Sequence, residues 1–189
     1  TVAEFLAAAE DDTVYTLTGT ITAVANTKYG NFDLTDETGT VLIYGLCSPE
    51  GEAQYWAESG AKVGDDIVVK TVRTSYNNAP QGKNAIFVEL LPGTLAFWSF
   101  DATATSFTAA GGNKEIGLAI YNTTAEVVTT SDNAQFSAAY ADGVLTITAL
   151  ENTAEEAIEG IIAVTCGSLN QTIAVSQAAA SSGDQTAVE

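Results

Sequence analysis

Residues 13–46, TVYTLTGTITAVANTKYGNFDLTDETGTVLIYGL, alternate apolar and polar side chains through three short runs, broken by Asn, Gly and Asp-Glu-Thr-Gly turns. Period-two alternation is the mark of a half-buried strand, so the stretch reads as a curled β-meander. Residues 49–60, PEGEAQYWAESG, follow with one helical stretch. KVGDDIVVKTVRT at 62–74 and NAIFVELL at 84–91 then return to alternation. Three strands, a helix and two more strands are the order of a small closed barrel.

Upstream, TVAEFLAAAE places Thr1 and Glu4 at capping-box spacing ahead of an Ala-rich run, which predicts a helix over 2–9. Strands are predicted at 13–25, 29–35, 40–46, 65–74 and 84–91, with the second helix at 51–59. Leu91-Pro92-Gly93-Thr94 ends the last of them, because Pro cannot donate to a central ladder. This opening part, residues 1–92, resembles an oligonucleotide/oligosaccharide-binding (OB) fold.

From Leu95 the pattern changes to evenly spaced short runs: LAFWSF, EIGLAIYN, AEVVTT, QFSAAY, GVLTITAL, EGIIAVTCG and QTIAVSQA. Seven strands at that spacing predict a sandwich. FTAAGG at 107–112, Ala141-Asp142-Gly143 before LTITAL, Asn152-Thr153 and the closing TIAVSQ at 172–177 are the recurrent features. On them, residues 93–178 resemble a BACON domain (Bacteroidetes-associated carbohydrate-binding, often N-terminal), an immunoglobulin-like sandwich. Where such domains carry two Trp and a basic residue, this chain has Ala125-Glu126, Phe136 and Glu159. Loss of those Trp faces gives weight to a spacer role. Residues 179–189 read as a polar tail or linker. The predicted class is thus all-β: a five-stranded OB-like barrel with short helices, then a seven- to eight-stranded immunoglobulin-like sandwich.

The chain of 189 residues carries six Lys plus Arg against 24 Asp plus Glu, for a net charge of −18. That charge repels phosphate backbones and argues against nucleic acid as a partner. No apolar run is long enough to span a membrane as a helix. Thr1 in a chain without Met implies a processed end, compatible with export and with a lipid anchor upstream of it. Without His, imidazole-dependent triads are excluded, and Cys47 and Cys166 lack the partners of a zinc site. Both are read as small buried residues. No cofactor or metal is expected, and Asp33, Asp36 and Glu37 are read as turn residues rather than a calcium cluster.

In an OB-type barrel the ligand face lies on strands 2 and 3, bordered by the loops joining strands 1 to 2 and 4 to 5. Lys28 and Tyr29 fall in the first of these loops, while Tyr76, Asn77, Asn78 and Lys83 fall in the second. Lys70 and Arg73 sit on strand 4. With Phe32, Leu34, Val41 and Ile43 pointing inward, Asn31, Asp33 and Tyr44 face outward. Lys28, Tyr29, Asn31, Tyr44, Arg73, Tyr76, Asn78 and Lys83 are therefore the candidate ligand-binding residues. Trp56 is expected to plug the barrel, and Trp98 to pack in the first sandwich strand or between the domains. The expected function is a non-catalytic recognition module at the cell surface or outside the cell, contacting a polysaccharide or glycoprotein glycan. A passive spacer in a surface lipoprotein and a single-stranded nucleic-acid binder are the alternatives.

Overall fold

The computed structural model describes residues 1–180, and the chain divides into two compact units, Thr1–Leu95 and Ala96–Glu189. The predicted polar tail falls, from residue 181 onward, outside the described residues.

In the first unit β1 (Val14–Asn26), β2 (Asn31–Asp36), β3 (Gly39–Cys47), β4 (Asp66–Tyr76) and β5 (Ala79–Leu91) close a barrel in the order β1-β2-β3-β5-β4. Every pairing is antiparallel except β3 with β5. This is the OB arrangement. Alternation delivers the expected interior: Leu17, Ile21, Phe32, Leu34, Val41, Ile43, Ile67 and Val69 are all buried in one core. Truncating Phe32, which has no exposed surface, would cost about 3–5 kcal/mol.

Two short helices fill the ends. α1 (Val2–Ala7) begins with the predicted capping box of Thr1 and Glu4, and it buries Val2 and Phe5. The Val2 N–H donates to Asp36 Oδ2 at 2.8 Å, fixing α1 at the far end of β2. α2 (Trp56–Ser59) is much shorter than the helix predicted over 51–59. Ser48 explains the difference, because its Oγ accepts from the Glu50 and Glu52 N–H groups and holds those residues in a turn. Gln54, at φ 67°, also stands outside helical geometry. Trp56 is buried against Phe32 at 5.5 Å between centroids, the plugging role expected of it.

The loop expected between the fourth and fifth strands is instead a tight turn. Asn77 and Asn78, at φ 49° and 62°, form a two-residue connection of the kind that tolerates left-handed backbone only in Asn, Asp or Gly. β5 consequently starts at Ala79, and Lys83 stands within a strand rather than a loop.

In the second unit, β6 (Phe97–Phe100), β8 (Gly112–Tyr121), β10 (Phe136–Ala141) and β11 (Val144–Ala149) form one sheet in the order β10-β11-β8-β6. β7 (Ala104–Phe107), β9 (Val127–Ser131), β12 (Ile158–Cys166) and β13 (Leu169–Gln177) form the other, in the order β7-β13-β12-β9. Strands one, two, five and four opposite three, six and seven are the immunoglobulin-like sandwich, with β7 as the extra strand. β7 was not among the predicted strands. It arises because the chain leaves β8 after Asp101, whose N–H still reaches Gly117 O, and joins β13 by residue 103, where Thr103 O accepts from Ala174 N–H.

Three of the recurrent residues singled out in this half, Gly111, Asn152 and Gln177, serve its framework. Gln177, 1% exposed, donates through Nε2 to the carbonyls of Thr108, Ala109 and Leu150. Asn152 likewise ties the Glu156 and Ala178 carbonyls together. Gly111 is required at φ 70°, where a Cβ would stand 2.4 Å from Ala149 O. Trp98 lies on β6, edge-on to Phe100 at 5.0 Å and against the sandwich core. Cys47 and Cys166 are both free and buried, as expected.

Candidate functional site

Three depressions on the outside of the barrel lie next to one another around β3 and β5, sharing lining residues. One of about 510 Å³ is lined by Tyr44, Thr74, Ser75, Tyr76, Gln81 and Lys83. A second, of about 340 Å³, is lined by Tyr29, Tyr44, Gly45, Leu46, Cys47, Ala53, Gln54 and Asn84. The third, of about 430 Å³, is lined by Val14, Lys70, Thr71, Val72, Lys83, Asn84 and Ile86. Tyr44 belongs to the first two, Lys83 to the first and third, and Asn84 to the second and third. Tyr44 and Lys83 are partners in the β3–β5 register, so the three depressions are neighbours on the sheet.

Local backbone chemistry sets each aromatic side chain. The Asn26 Oδ1 accepts from the Lys28 and Tyr29 N–H groups at 2.9 and 3.2 Å, folding residues 26–29 into an Asx turn that lifts Tyr29 outward. The next residue must be Gly30, because at φ 69° a Cβ would lie 2.6 Å from Leu46 Cβ. Lys28 Nζ then rests 5.2 Å from the centroid of the Tyr29 ring, within cation–π range. Tyr44 points outward because Ile43 points in. The following Gly45 takes φ 92° and gives its N–H to Asn31 Oδ1 at 3.0 Å. Tyr76 closes the β4 end just before the tight turn. The three rings are 43%, 49% and 68% exposed for Tyr29, Tyr44 and Tyr76.

Of the predicted contacts, Tyr29, Tyr44, Tyr76 and Lys83 line this connected surface, and Lys28 covers Tyr29. Arg73 does not line it. Its Nη1 is bound to Glu10 Oε2 at 2.9 Å and Ser75 Oγ at 2.8 Å, and its side chain is 15% exposed. Asn78 stands at the tip of the turn, outside all three depressions. Asn31 Oδ1 accepts from the Gly45 N–H of β3, and Asn31 lines none of the three depressions. Asp33 also lies away from the depressions, and burial pushes its carboxyl above its usual range. The surface is thus centred on β3 and β5, not on the β2–β3 face the barrel type suggested. Gln54, Gln81 and Asn84 line it and were not predicted. Asn84 sits at φ 48° inside a strand, a kink that alternation alone cannot signal.

Chemically the surface offers stacking faces, amides and two ammonium groups. Cys47 lines the second depression, but burial pushes its thiol up and away from the reactive thiolate form. No helix among the described residues is long and apolar enough to cross a membrane.

No family model matches the chain, and no curated protein matches it. Among solved structures, an NMR structure of a protein from Bacteroides thetaiotaomicron aligns with a TM-score of 0.36 and 12% identity, covering 47% of this chain and 92% of that one. A chimeric titin Z1Z2 functionalized with a KLER exogenous peptide from decorin aligns with a TM-score of 0.32 and 10% identity, covering 89% and 82%.

Proposed function

We propose that the protein is a non-catalytic recognition module that binds glycan through the barrel surface built around Tyr44. The observation that carries this reading is the gathering of Tyr29, Tyr44 and Tyr76, all exposed, onto connected depressions joined at Tyr44. An aromatic face stacked on a base contributes about 1–3 kcal/mol, and the apolar face of a pyranose presents a comparable area. Gln81, Gln54 and Asn84 supply the amide donors and acceptors that sugar hydroxyls need. A location outside the cell or on its surface accords with this reading, and the charge of −18 favours solubility there.

A passive spacer is the second reading, favoured by the sandwich. There Gln177, Asn152 and Gly111 are consumed by internal hydrogen bonding and close backbone approach. A glycan array separates the two. Recognition requires binding that Tyr44→Ala weakens at least about fivefold, the lower end of the stacking range, while circular dichroism stays unchanged. A spacer leaves the array empty.

A further inference from the structure

The linked depressions have a charge character opposite to that of the chain. The protein carries 24 acidic residues, yet none lines any of the three depressions, while Lys70 and Lys83 do. Other depressions follow the overall composition. One of about 360 Å³ on the same barrel includes Asp36, Glu37 and Asp66, and one of about 500 Å³ on the sandwich includes Asp132 and Glu159.

The ion pairs sharpen the contrast. Five basic residues lie in the barrel. Lys62 is committed to Asp65 at 2.7 Å and Arg73 to Glu10 at 2.9 Å. Lys28, Lys70 and Lys83 form no ion pair among the described residues. All three border the tyrosine surface: Lys83 beside Tyr44 and Tyr76, Lys70 in the depression that shares Lys83, and Lys28 over the Tyr29 ring. Three exposed, unpaired ammonium groups beside the rings of a strongly acidic protein are placed to pair with an external anion.

From this we infer that the glycan is acidic: a chain carrying carboxylate or sulfate groups, with sugar rings on the tyrosines and anionic substituents at Lys83, Lys70 and Lys28. The inference rests on the glycan reading above and adds the charge of the ligand to it. A single-stranded nucleic acid is the less favoured anion. It carries one phosphate per nucleotide, and three lysines within a barrel of five basic and 13 acidic residues neutralise few of them. An acidic glycan of lower charge density asks less of the same lysines.

Matched probes test the charge alone. The full chain is titrated calorimetrically with oligogalacturonides and their methyl esters, and with sulfated and unsulfated dextran oligomers, in low and high salt. A deoxythymidine oligomer is run alongside. At least one anionic probe is expected to bind ~10-fold or more tightly than its neutral twin, the scale of one charge-assisted hydrogen bond, and to weaken in high salt. Lys83→Gln weakens the anionic probe more than its neutral twin and so removes most of that preference, and Lys83→Arg restores it. Tyr44→Ala weakens both members of a pair. Equal binding of the twins, or equal loss of both in Lys83→Gln, overturns the acidic assignment and leaves the glycan reading standing. Binding to no probe in either pair overturns both. Tighter binding of the oligonucleotide than of every glycan overturns both in favour of nucleic acid.

Discussion

Gln177→Leu keeps the side-chain volume and removes only its polarity, which isolates the clamp that Gln177 makes inside the sandwich. The amide donates to Thr108 O at 3.2 Å, Ala109 O at 3.1 Å and Leu150 O at 2.7 Å, and its Oε1 accepts from Gln135 Nε2 at 2.9 Å. None of the three carbonyls would be orphaned. Thr108 O retains the Gly111 N–H, Ala109 O the Asn152 N–H, and Leu150 O the Gln135 side chain. The cost is therefore the net worth of the lost bonds, about 1 kcal/mol each with one Nε2 hydrogen shared, or ~3 kcal/mol in all. For a unit of this size, that lowers the melting temperature by roughly 12–24 °C. The chain has one Trp in each unit, Trp56 and Trp98. Fluorine NMR of 5-fluorotryptophan-labelled protein follows the two unfolding transitions separately. The Trp98 signal should melt early while Trp56 is unmoved. A loss below about 1 kcal/mol, the worth of one such bond, or a shift confined to Trp56, would refute the clamp.

Gly82→Ala should destabilise the barrel by about 1–3 kcal/mol, the usual penalty for overpacking. The added Cβ would meet Ile43 Cδ1 at 2.8 Å and the Thr71 side chain at 3.0 Å, and urea unfolding followed at Trp56 reads the loss. Asp33→Asn should stabilise the barrel at pH 7. Burial raises the folded-state pKa of this carboxyl, so stability falls as pH climbs from the ordinary carboxylate value to the raised one, and the gain disappears below that window. Chemical denaturation at pH 7 and pH 3.5 shows whether the sign holds. Ellman's reagent should find no fast-reacting thiol in the native protein and two after denaturation, since Cys47 and Cys166 are 6% and 1% exposed.

Alternation made the two β architectures legible, because one inward face per strand is a global requirement that each residue pair repeats. Phe32, Leu34, Val41 and Ile43 declared their side of the barrel without any knowledge of the ligand. The capping box at Thr1 and Glu4 was equally local, and it appeared as read. What escaped depends on backbone that leaves the regular pattern. Ser48 turned half of a predicted helix into a loop-held turn, Asn77-Asn78 collapsed a predicted loop into two residues, and Asn84 kinked a strand by adopting left-handed geometry. β7 was hidden for a further reason. Four residues, ATSF, carry too little periodicity to announce a strand, and only the parallel pairing with β13 defines it. The candidate surface follows from the same departures: Tyr29, Tyr44 and Tyr76 line depressions centred on β3 and β5, not the expected β2–β3 face, because Lys83 and Asn84 stand within a strand.

The same β7–β13 pairing governs how the sandwich resists being pulled apart. Ala104–Phe107 runs alongside Ala174–Gln177 in the same direction, near the two ends of the unit. Tension applied between those ends drags the ladder lengthwise, so its hydrogen bonds must shear together instead of peeling one after another. Under such tension the four residue pairs, with the Gln177 side chain at their end, would have to give way together.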